Sequence, residues 1–110
     1  MPVVNSVAAT DDNITLFCSS NNINATLRWQ RLAGTTNKWD LVYNGNKVLN
    51  NYDLRFVVSV ETRSTTVSSN LTIVSLMKND TGFYACSEAG LSEKYAAELL
   101  VLDTCELSFQ

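Results

Sequence analysis

The sequence predicts an all-β protein built as a two-sheet sandwich, and three observations carry that expectation. Short runs alternating apolar and polar residues recur along the chain. Turn-forming clusters separate them at short intervals, and no stretch carries the longer period of an amphipathic helix. Two of the runs end in cysteine, Ile14-Thr15-Leu16-Phe17-Cys18 and Phe83-Tyr84-Ala85-Cys86, and a third holds Trp29, eleven residues beyond Cys18.

In order, a first strand is expected from Val3 to Val7. Asp11-Asp12-Asn13 then turns the chain into 14–19. The polar, Asn-rich stretch 20–26 is a loop before the strand at 27–32. Ala33-Gly34-Thr35-Thr36-Asn37 turns into 39–43, and Asn44-Gly45 is the dipeptide of a tight hairpin leading to a short strand at 47–49. Further strands are expected at 55–61, 70–76, 82–87 and 95–102. Residues 1–103 thus make one domain, with 104–110 a stem or the start of a linker. The length of 110 residues matches that division.

Composition narrows the function. With 45% hydrophobic residues the chain can bury a core, and no apolar run reaches the roughly 18 residues of a membrane-spanning helix. Any membrane attachment is therefore expected through a segment outside this sequence. A net charge of -3 without a Lys/Arg cluster argues against nucleic acid and anionic lipid as partners. Histidine is absent. The commonest general base and the commonest metal ligand are missing together, no cysteine pair has zinc-site spacing, and the acidic residues are scattered. No catalytic residue, metal or cofactor is expected, and an enzyme is the least favoured class. Met1-Pro2-Val3-Val4 lacks the marks of a secretory signal, so the chain is either cytosolic or a mature extracellular domain behind an added methionine.

Two readings fit Cys18 and Cys86. They are buried thiols of a cytosolic β protein, or they bridge two facing sheets with Trp29 packed against the bond. The bridge is preferred: closing a loop of about 70 residues would contribute roughly 4 kcal/mol in the chain-entropy model, and it implies an oxidising compartment. Around Cys86 the chain reads Asp80-Thr81-Gly82-Phe83-Tyr84-Ala85-Cys86. Gly82 permits a tight corner, and Tyr84 can return its hydroxyl to the corner backbone. Asp80, at the base of the sandwich, invites a basic partner.

These residues, with Cys18, Trp29 and the run Leu71 to Leu76, resemble the immunoglobulin superfamily over nearly the whole chain. The resemblance implies a Greek-key sandwich with a Cys18–Cys86 bridge. The space between the cysteines suits the V-type form, whose extra strands C′ and C″ would be 39–43 and 47–49. It also implies an Arg55–Asp80 ion pair closing one end. The likeness stops short of rearranging antigen receptors, because 95–102 lacks their glycine bulge. Protein binding is implied, in cell-surface adhesion or immune-type receptor signalling. A secreted or viral decoy that captures a host ligand is the alternative. The location is then extracellular or cell-surface.

Such domains present a surface. With Trp29, Tyr84 and Cys86 facing inward, Arg28, Gln30, Ala85 and Ser87 should face outward. The same face of the G-F-C-C′ sheet is expected to display Trp39, Leu41 and Tyr43, then Tyr95, Ala97 and Leu99, with Lys47 at its rim. A protein ligand or receptor, or a second copy forming a homodimer, would dock there. Four N-x-S/T sequons begin at Asn13, Asn24, Asn70 and Asn79, with Asn24 and then Asn79 the preferred glycan acceptors. Cys105 is the odd cysteine. It links two chains, pairs within a following domain, or stays a free thiol.

Overall fold

In the computed structural model of the chain, residues 4–33, 38–49, 52, 54–91 and 95–103 are described. Among them the strands are β1 (Val4–Ala9), β2 (Ile14–Ser20), β3 (Leu27–Ala33), β4 (Trp39–Tyr43), β5 (Phe56–Thr62), β6 (Val67–Ile73), β7 (Gly82–Glu88) and β8 (Tyr95–Leu102). A single turn of 3-10 helix, Lys78–Asp80, precedes β7. The sheets run β1-β8-β7-β3-β4 and β2-β6-β5, and this is the immunoglobulin-like sandwich that the sequence predicts. β1 lies parallel to β8, from Val4 beside Ala97 to Ala9 beside Leu102, and the other pairs are antiparallel. No helix of the described residues is long and apolar enough to cross a membrane.

Alternation puts one side of every strand into a shared core. Leu16 and Cys18 of β2, Leu71 and Ile73 of β6 and Phe56 of β5 meet Leu27 and Trp29 of β3, Tyr84 and Cys86 of β7, and Leu99 and Val101 of β8. The Cys18–Cys86 disulfide crosses between the sheets with a Cα separation of 6.3 Å. Trp29 is 2% exposed, and its indole Nε1–H donates to Ser69 Oγ across the sandwich at 2.9 Å. That bond satisfies two polar groups which burial would otherwise strand.

Two elements differ from the sequence reading. β6 spans Val67–Ile73 instead of 70–76, because Ser69 lies in the core beneath Trp29 while Ser75 turns away at φ 54°. A run containing Ser68-Ser69 reads as loop unless the tryptophan above it is known. The expected strand at 47–49 reduces to one bridge between Val48 and Tyr43. There the Asn44 side-chain oxygen accepts the amides of Asn46 and Lys47, and Gly45 sits at φ 97°. The chain turns where expected, but Gly45-Asn46 is the central pair and Asn44 acts from outside it as a side-chain acceptor, so the turn is not the Asn-Gly hairpin type. Beyond it the Leu49 amide donates to the Val42 carbonyl.

Candidate functional site

One end of the sandwich is closed by a polar cluster. Asp80 is fully buried and accepts two hydrogen bonds from the Arg55 guanidinium, at 2.7 and 2.9 Å, and a third from the Met77 amide at 2.8 Å. Burial pushes the Asp80 carboxyl up, but the guanidinium and the amide outweigh it and hold the group below its ordinary range. The Tyr84 hydroxyl donates to the Asp80 carbonyl at 2.5 Å, and burial raises its phenol well above the usual value. Arg31 lies over the Tyr84 ring, 5.6 Å from its centroid, and donates to the Asn79 carbonyl. Gly82 opens β7 at φ 152°, an angle glycine reaches without steric cost. Arg31 Nε is covered and has no hydrogen-bond partner within the chain, and the other donors and acceptors named here serve the corner itself. The cluster is structural.

The outer face of the five-stranded sheet is different. Directly paired residues of neighbouring strands share a face, so the register gives its rows. Trp39 of β4, Leu32 of β3 and Phe83 of β7 stand side by side, followed by Glu98 of β8. The next row is Leu41, Gln30, Ala85 and Ala96, and Arg28 pairs with Ser87 beyond it. Leu100 and Val7 extend the apolar surface at the β8–β1 edge, 42% and 59% exposed. Among the described residues, Arg28 Nε, Gln30 Oε1 and Ser87 Oγ are covered yet have no hydrogen-bond partner within the chain. The face thus combines flat apolar rows with polar groups whose bonding capacity is unused.

Of the residues expected on this face, Arg28, Gln30, Trp39 and Leu41 lie there. Six require correction. Ala85 points outward but is fully buried, since a small side chain on a central strand lies below its longer neighbours; Ser87 is covered for the same reason. Tyr43 turns inward and is 8% exposed. β4 carries an extra residue, Val42, between the partners of Gln30 and Trp29, and the bulge reverses the alternation after Leu41. Tyr95, Ala97 and Leu99 pair with Cys86, Tyr84 and Gly82, which places them on the inner side of β8. Leu99 is fully buried, whereas Tyr95 reaches the open end of the sandwich and is half-exposed. Leu32, Phe83, Ala96 and Leu100 were missed. Glu98 was the available signal: a carboxylate with no cation or donor to pair with is costly to bury, so its phase of β8 faces water.

All four sequon asparagines are exposed. Asn13 uses its side-chain oxygen to accept the Ser75 amide. Cys105 and the rest of 104–110 lie outside the described residues, as do Val3 and the turn at 34–37. Among the described residues no group of three or more His, Cys, Asp or Glu side chains could hold a metal ion.

Comparison with known proteins agrees with this architecture. The second immunoglobulin domain of the mouse polymeric immunoglobulin receptor superposes with a TM-score of 0.73 at 22% identity, covering 92% of this chain and 97% of that one. In all, 1764 chains of solved structures match, so the likeness identifies a fold and selects no partner. No curated protein matches the chain in sequence. The immunoglobulin domain family matches residues 4–88, and the chain is a member of that family.

Proposed function

We propose that the chain is an extracellular V-type recognition domain that binds another protein through the outer face of β4-β3-β7-β8, in cell-surface adhesion or immune-type receptor signalling. Immunoglobulin domains commonly mediate protein recognition, and an internal disulfide is typical of extracellular members. The V-type assignment is supported by β4 and by the Tyr43–Val48 bridge that extends the sheet beyond it. The observation that carries the binding reading is the row Trp39, Leu32, Phe83 beside Leu41. It is apolar, flat and bordered by Glu98, Gln30 and Arg28, the composition of an interface core with a polar rim.

The test is binding of a fluorescent tetramer of the domain to cell panels. Leu41→Glu and Phe83→Glu, in variants whose unfolding midpoint matches the parent, should reduce staining at least tenfold, the loss of one interface hot spot. Ser59→Glu on the opposite sheet should leave it unchanged. The reverse pattern overturns the face assignment. Sedimentation of the unlabelled domain separates self-association from capture of a second protein.

A further inference from the structure

Phe17 occupies the middle of the outer face of β2-β6-β5 and is 68% exposed. Its surroundings are mainly polar, with Val57 and the Glu61–Arg63 ion pair at their β5 margin. Asn70 is its direct partner on β6, Ser59 stands beyond Asn70 on β5, and Thr15, Thr72, Ser19 and Ser68 lie along the flanking rows. Phe17 and Asn70 line one shallow groove of about 430 Å³, together with Ser59, Ser68 and Thr66. That volume falls within the range of about 300–1,000 Å³ that small ligands fill. A large exposed ring amid hydroxyls and amides asks for an occupant that is apolar on one side and hydroxylated on the other. A pyranose has that chemistry: its axial C–H groups pack on an aromatic face, and its hydroxyls bond to serine and threonine.

The tether is already in place. Asn70-Leu71-Thr72 is a sequon on an exposed strand face. Side chains directly opposed across an antiparallel pair have Cβ atoms about 5 Å apart, so a sugar on the Asn70 amide starts beside the ring. Among the four sequon asparagines, Asn70 is the one paired across strands with an exposed aromatic. We infer that Asn70 carries an N-linked glycan whose first N-acetylglucosamine residues lie along Phe17 in this groove. The donor is a polyprenyl-diphosphate-linked oligosaccharide. The Asn70 amide nitrogen attacks C1 of its first sugar, the N–C1 bond forms, the C1–O bond to diphosphate breaks, and the amide proton passes to the base of the transferase.

The inference rests on the extracellular reading, and the test separates the two. The full chain is secreted from animal cells behind an added signal peptide, which routes it past the transferase whatever its native address. Glycopeptide mass spectrometry should find Asn70 occupied in most molecules. Trimming to the first N-acetylglucosamine and labelling it with carbon-13 should show sugar protons shifted upfield by the Phe17 ring. Relative to Asn70→Gln, the glycan should raise the unfolding midpoint by about 4–8 °C, the shift expected for a tenth of a small domain's stability. In a Phe17→Thr background that gain should disappear. An unoccupied Asn70, unshifted sugar protons, or an equal gain with and without Phe17 each overturns the inference. The ring-shift measurement needs no variant, so it stands even where a substitution impairs folding.

Discussion

Arg55 and Asp80 show how burial changes the weight of one ion pair. The guanidinium is 29% exposed and stays partly hydrated, while the carboxylate has no contact with water and depends on Arg55 and the Met77 amide. Removing the arginine is therefore the worse lesion: Arg55→Ala should cost about 3–5 kcal/mol in urea unfolding, and Asp80→Asn should cost less. The depressed Asp80 carboxyl also fixes an acid limb. In the unfolded chain the aspartate takes its proton near the ordinary value of about 3.9, before the folded protein does. The pair's stabilisation is complete above about pH 5, declines as the pH falls through that value, and is lost below the folded-state pKa. Circular dichroism across this window should show a shallower decline for Asp80→Asn. A parallel curve would remove Asp80 from the acid limb.

Strand by strand, legibility depended on whether only one phase could enter the core. β7 was readable because Tyr84 and Cys86 are tied to a corner motif, and β3 because Trp29 faces the bridge. β8 was not, since Leu99-Leu100-Val101-Leu102 is apolar in both phases and only Glu98 breaks the tie. β4 defeated alternation altogether, because no pattern of period two announces a bulge at Val42. The corner and the disulfide were thus written in local spacing, whereas the outer face of the five-stranded sheet depended on registers that only strand pairing sets. The corrected registers make a sharp contrast within β4. Tyr43→Ala should cost about 3 kcal/mol by opening a cavity beside Trp29. Leu41→Ala, on the outer face, should cost below about 1 kcal/mol. Chemical denaturation of both variants decides it, and equal losses would contradict the bulge.

At the scale of the whole molecule, the parallel pairing of β1 with β8 determines how the domain bears tension. Val4 lies beside Ala97 at one end of the sheet and Ala9 beside Leu102 at the other, so pulling Val4 away from Leu102 slides the two strands lengthwise. Their hydrogen bonds then resist as a group instead of parting one at a time, and rupture follows the slow unfolding rate. Once they yield, the Cys18–Cys86 bond acts as a leash, because everything between the cysteines stays locked. The contour released should be about 100 Å with the bond intact and about 340 Å after reduction, at roughly 3.5 Å per residue. Single-molecule force spectroscopy with and without reductant reads both lengths. A domain hung between two surfaces this way would give by a short fixed step under load and stop there, with the segment between Cys18 and Cys86 shielded from the pull.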